Sequence, residues 1–178
     1  MQPQTQEAIE ARERIQHEPQ VSLTLAAGYF WLGEAYRIKG NQPLGEKDSQ
    51  KPFETYQNSI RDYNQALEID PKEPIFYIGR GKAYFQLANS FFSENSSEAQ
   101  EYFAKARDDF RNVTESNVKD ANAHYWLSRV LEKQKDIRSS CRELNKAYDV
   151  FYEEKQYDLQ KKVQEDLRRL DCKSMEYR

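Results

Sequence analysis

Three segments of this chain can be laid over one another, and that internal repetition constrains the fold more than any other feature. They read Tyr29-x-x-Leu32-Gly33-x-x-Tyr36, Tyr77-x-x-Arg80-Gly81-x-x-Tyr84 and His124-x-x-Leu127-Ser128-x-x-Leu131. Each is followed by a second run of matching pattern: Ser59, Tyr63, Ala66 and Pro71, then Ala106, Phe110 and Val113, then Ser140, Leu144 and Ala147. A small residue repeated at one place in each run has a direct physical meaning. Gly33, Gly81 and Ser128 let a partner helix come close, and Ser59, Ala106 and Ser140 do so from the other side. Large residues then interdigitate around those contacts. Neither helix of such a pair buries its face alone, so the pairs must stack.

The apolar spacing is helical almost throughout. Phe53, Tyr56, Ile60, Tyr63 and Leu67 recur at steps of three and four, as do Leu159, Val163, Leu167 and Leu170. No convincing period-two strand is present. Punctuation falls at Gly40-Asn41-Gln42-Pro43, at Asp70-Pro71-Lys72-Glu73-Pro74, at Ser93-Glu94-Asn95-Ser96-Ser97 and at residues 117–121. Pro52 suits a first helical turn, where its missing N–H costs nothing.

These residues resemble the tetratricopeptide repeat family. The large–Leu–Gly–Tyr order in the first helix and the small–aromatic–Ala–Pro order in the second form that family's pattern. YIGRGKAY and SIRDYNQALEIDP lie especially near it, and the likeness covers roughly residues 22–152. It implies an all-α tetratricopeptide α-solenoid of three helix pairs, about 26–73, 74–120 and 121–152. Residues 1–21 are then a polar tail or weak helix, and 153–178 a capping helix with its tail. The family unit is about 34 residues. Units starting at Ala26, Pro74 and Ala121 stand 48 and 47 residues apart, so the first two carry insertions of 14 and 13 residues, within 41–58 and 89–103. Leu87, Phe91 and Phe92 continue an apolar face, which makes the second insertion an extension of the helices.

Composition excludes several functions. Apolar residues are 38% of the chain, but 12 Tyr, 9 Phe and 2 Trp supply enough burial area to argue against disorder. A net charge of −3 without a long basic run argues against a nucleic-acid partner. The longest charge-free stretch, between Glu18 and Glu34, holds 15 residues and is too short to insert across a membrane. Cys141 and Cys172 make no disulfide framework and fit a reducing compartment, so the chain reads as soluble and cytoplasmic.

Catalytic groups are scarce. His17 lies in a polar segment, and His124 stands where the repeat places a packing residue. No HExxH, GxSxG, phosphate loop or CxxC occurs. Cys141 falls early in a helix and reads as a buried, inert thiol. Adjacent carboxylates such as Asp108-Asp109 diverge on a helix. No enzyme activity, cofactor or metal is expected. Asn95-Ser96-Ser97 and Asn112-Val113-Thr114 match a glycosylation pattern that has no meaning in a cytoplasmic chain.

The resemblance implies instead a protein–protein interaction scaffold, adaptor or assembly factor that holds a partner in a concave groove. Carried over residue by residue, the family's groove places fall on Phe30, Glu34 and Arg37, on Ile78, Lys82 and Phe85, and on Asn122, Tyr125, Arg129, Glu132 and Lys133. Basic members outnumber acidic ones in an acidic protein, which favours an acidic, partly apolar partner segment. One subfamily grips chaperone carboxyl termini with Lys and Asn at the fifth and ninth places. Here those places hold Phe30 and Glu34, and Glu34 repels a carboxylate. The alternative is a constitutive subunit or homo-oligomer that joins through solenoid ends or insertions.

Overall fold

A computed structural model of the chain describes residues 19–41 and 51–172. The described residues carry seven helices and no strand: α1 Pro19–Gly40, α2 Lys51–Ile69, α3 Pro74–Phe91, α4 Ser97–Ser116, α5 Ala121–Lys133, α6 Ile137–Glu153 and α7 Tyr157–Arg169. Four of the six breaks fall where the punctuation predicts them, while those at 134–136 and 154–156 contain no Gly or Pro. The second insertion is helical, since α3 and α4 run to 18 and 20 residues and only a short turn separates them. The first insertion falls partly on residues 42–50, outside the described residues, as does the N-terminal segment 1–18. Helix α1 begins at Pro19, two residues before the expected end of the tail.

Two compact units divide at Gly79–Arg80, within α3. In the first, α1 and α2 form a tight hairpin around Tyr63, which is fully buried. Its ring lies against Gly33, where an added Cβ would stand 3.0 Å away, and against Gly79, where one would clash. Ser59, also fully buried, donates its hydroxyl to the Gly33 carbonyl at 2.8 Å. Phe30 packs on Tyr63 and Phe76 at 6.0 and 5.5 Å between ring centres. Tyr56 lies over Gly40 and donates to Asn41 Oδ1 at 2.7 Å.

The second unit repeats the device with different side chains. A Cβ at Gly81 would lie 2.9 Å from the Phe110 ring. In the third pair, Ser140 donates to the Ser128 carbonyl at 2.9 Å, the counterpart of Ser59 and Gly33. Tyr125, Leu144, Ala147, Val150, Phe151 and Val163 form a core, with Trp126, Tyr148, Leu167 and Leu170 against it. Helix starts are capped by side chains: Ser96, Asp120 and Asp136 accept from Ala99, Ala123 and Ser139 N–H groups at 3.1, 2.8 and 3.1 Å. Helices α5, α6 and α7 are each followed by a left-handed residue, Lys135, Lys155 and Asp171, with φ of 64°, 59° and 52°. Glycine is the usual occupant of that place.

The cysteines correct the sequence expectation. Cys141 and Cys172 are joined by a disulfide with Cα atoms 5.5 Å apart, both buried, so neither is an inert free thiol. The bridge ties the start of α6 to the residues just after α7. It also removes the cysteine argument for a reducing compartment, because structural disulfides persist mainly in oxidising ones. No helix among the described residues is long and apolar enough to cross a membrane.

Candidate functional site

The expected groove residues divide into a buried set and a polar set. Phe30, Ile78, Phe85 and Tyr125 are all buried, at 7–8% exposure, and so give a partner little open surface. Phe85 meets Phe103 and Trp126 at 5.7 and 5.6 Å. Aromatic and aliphatic residues at these places are used to join neighbouring helices.

In the first unit, Glu34 and Arg37 form an ion pair at 2.6 Å, and the Tyr63 hydroxyl donates to Glu34 Oε1. Burial, with the neighbouring Glu34, pushes the Tyr63 phenol far above its ordinary range. Burial opposes the Arg37 charge, yet Glu34 holds the guanidinium above its usual value. Glu34 is therefore neutralised locally.

In the second unit the polar set is joined by side chains that sequence reasoning missed. Arg169, from the end of α7, reaches Glu132 with two bonds of 2.6 and 2.9 Å and also meets Asp166 at 2.9 Å. Arg169 stands four residues after Glu165 on its own helix, yet the structure uses it to tie α7 to α5. Arg169 holds the Glu132 carboxyl below its usual range. Asp166 accepts from the Tyr125 hydroxyl at 3.3 Å and lies 3.8 Å from Arg129. Arg129 donates to the Tyr125 hydroxyl at 3.4 Å, while its buried Nε, 3.7 Å from Glu132, makes no hydrogen bond. Lys133 stands 3.7 Å from Glu94. Lys82 lies over the Trp126 ring at 5.5 Å and Lys162 over the Tyr125 ring at 5.2 Å. Asn122 is exposed on the first turn of α5. The signal for α7 lay in Asp166 and Arg169, which sit three apart beside the apolar stripe of Val163 and Leu167.

Two further polar pairs are structural. Arg80 grips Asp109 through bonds of 2.9 and 2.6 Å, and burial still pushes the Asp109 carboxyl up. His124, nearly fully buried, contacts Glu143 at 2.6 Å and the Val118 carbonyl at 3.0 Å. Burial would raise the Glu143 carboxyl, but hydrogen bonds from His124 and Lys146 hold it below its usual range. Among the described residues no cluster of three or more His, Cys, Asp or Glu is placed to hold a metal ion.

Residues 55–87 match the model of the TPR repeat family, a span that runs from α2 through most of α3. The glycine and serine contacts repeat around that span at the expected places. Residues 55–87 carry a tetratricopeptide-like repeat. One solved structure it resembles is the first tetratricopeptide domain of Spaghetti (RPAP3) bound to the HSP90 peptide SRMEEVD. The two share 16% identity over 78% of this chain and 94% of that one, with a TM-score of 0.48. By the repeat pattern of the sequence, α1, α3 and α5 carry the first-helix residues and α2, α4 and α6 the second-helix residues, and α7 comes after them.

Proposed function

We propose that this chain is a tetratricopeptide-repeat interaction scaffold whose second unit takes an acidic, partly apolar segment of a partner protein. The observation that carries the reading is the polar surface built on α3, α5 and α7. There Lys82 and Lys162 lie over the Trp126 and Tyr125 rings, and Arg129, Lys133 and Arg169 meet Glu94, Glu132 and Asp166. These five cations gather on a chain whose net charge is −3. Two of the ammonium groups lie over aromatic rings, an arrangement that offers charge and apolar area together. Phe85 meets Trp126, Tyr125 meets Lys162, and Asn122 is exposed on the first turn of α5. In the first unit the corresponding places hold Phe30, Ile78, Glu34 and Arg37.

The test is a binding assay with a panel of labelled acidic peptides that contain Leu or Phe. Wild type is expected to bind some of them, more weakly as salt rises, because exposed charge pairs are screened. Lys82→Glu/Lys162→Glu is expected to keep its fold and to bind about tenfold or more weakly. Equal affinity for both proteins, or binding indifferent to salt, would remove the second-unit site.

A further inference from the structure

Helix α7 carries three groups of the second-unit surface, Lys162, Asp166 and Arg169, yet it has little of its own to hold it there. Of its 13 residues only Val163 and Asp166 are buried, with Leu167 partly buried against the core. A helix of that length is marginal when it stands alone. Its links to α5 are polar: Lys162 over the Tyr125 ring, Asp166 to the Tyr125 hydroxyl, and Arg169, whose side chain is 47% exposed, to Glu132. Ion pairs so open to water add little. What fixes the far end of α7 is covalent. Cys172, just past the helix, is bonded to Cys141 of α6, so α7 is held at both ends, by the turn at 154–156 and by the bridge. We propose that the Cys141–Cys172 bridge is a redox gate on the second-unit surface: closed, it seats α7 against α5, and opened by a dithiol, it releases α7 and the surface is lost.

A second observation gives the bridge a route to a reductant. Both cysteines are buried, but Cys172 forms part of the wall of a cavity of about 470 Å³, together with Tyr148 of α6, Gln164 and Arg168 of α7, and Asp171. The attacking species in disulfide exchange is a thiolate. The thiolate of a small dithiol, entering by that cavity, bonds to the Cys172 sulfur. The Cys141 sulfur leaves as a thiolate and takes a proton from water. The second thiol of the dithiol, having given up its own proton, displaces Cys172 from the mixed disulfide, and the Cys172 thiolate is protonated in turn. Two electrons pass to the protein, which ends with two thiols, and the dithiol ends as a cyclic disulfide. Because the bridge and the seating of α7 are linked, a ligand that needs α7 in place favours the closed bridge by the same factor.

The inference rests on the reading of that surface as a partner site, and two readouts on the full chain keep the two apart. Trypsin reports on α7 without any partner. Cleavage after Lys161 or Lys162 needs α7 to unwind, and cleavage after Arg61 in α2 is the reference for the first unit. Wild type is compared with Cys141→Ser/Cys172→Ser, and with wild type reduced by dithiothreitol and freed of it without air before a brief digestion. Opening the bridge either way is expected to speed the cuts in α7 about tenfold or more and to leave the cut after Arg61 at its rate. Equal protection of α7 with the bridge open overturns the gate, and so does equal acceleration in α2. The acidic peptides that contain Leu or Phe report on the surface. Those that bind the oxidised chain are expected to bind the reduced chain about tenfold or more weakly. At saturation they are expected to shift the bridge's equilibrium with dithiothreitol toward the disulfide by the same factor. Peptide binding indifferent to the redox state overturns the gate on the surface. Release of α7 on reduction, with no peptide bound by the oxidised chain, leaves the gate on α7 standing and removes the partner site.

Discussion

The hairpin of α1 and α2 and the hairpin of α5 and α6 solve one packing problem with different materials. In both, a buried serine of the second helix donates to a carbonyl of the first: Ser59 to Gly33 and Ser140 to Ser128. Around that shared bond the volumes trade against each other. The small residue is Gly33, Gly81 or Ser128 along the three pairs, while the large one in the second helix is Tyr63, Phe110 or Leu144. Both glycines face a ring, and where serine replaces glycine the matching place in the second helix holds the smaller leucine, a change in the direction that preserves packing volume. The two hairpins also close differently. The first is finished by the chain of Tyr63, Glu34 and Arg37, whereas the third is held by α7 through a disulfide and an ion network. The repeat specifies the approach of the helices and leaves the closure to each unit.

That contrast can be broken most strongly at the bridge. The cysteines lie 31 residues apart in sequence, and opening a loop of that length is expected to cost about 3–4 kcal/mol. Reduction, or Cys141→Ser/Cys172→Ser, should speed hydrogen exchange in α6 and α7 and leave α1 and α2 at their wild-type rates. Equal acceleration in both hairpins would show that the bridge stabilises the chain as a whole. Next comes the trade of volumes. Gly81→Leu drives a side chain into Phe110 and is expected to lower stability by about 1–3 kcal/mol or more. A urea midpoint that does not move would refute the register of the repeats. The smallest effect sharpens the shared element. Ser59→Ala and Ser140→Ala should each cost about 1 kcal/mol, and by similar amounts, since each removes one buried hydrogen bond. A loss confined to one of them would mean that the serines are not equivalent.

The helix pairs were legible because close approach demands small residues, and small residues at fixed spacing stand out in a sequence. Gly33 with Ser59, Gly81 with Ala106 and Ser128 with Ser140 mark the hairpins before any coordinates are known. The candidate site was legible only in part. Glu132 and Arg129 stand out by their places in the repeat, but Arg169 does not, because a contact across 37 residues leaves no mark in the sequence. Phe30, Ile78, Phe85 and Tyr125 occupy groove places by count, yet an apolar side chain at such a place is drawn into the helix contacts around it. The disulfide was missed for a related reason. Two cysteines 31 residues apart give no indication that their Cα atoms lie 5.5 Å from each other.

The bridge also governs how a pull on the carboxyl-terminal side is borne. A stack of helices ordinarily peels from its outermost member, one turn at a time, because that member is held on one side only. Here Cys172 lies just past α7 and is covalently fixed to the start of α6. Tension on any chain that continues beyond residue 172 passes through sulfur to α6 without first unwinding α7. The last helix is thus sheltered inside a closed covalent ring, and a load that would otherwise unravel the end of the array falls on the middle of the second unit.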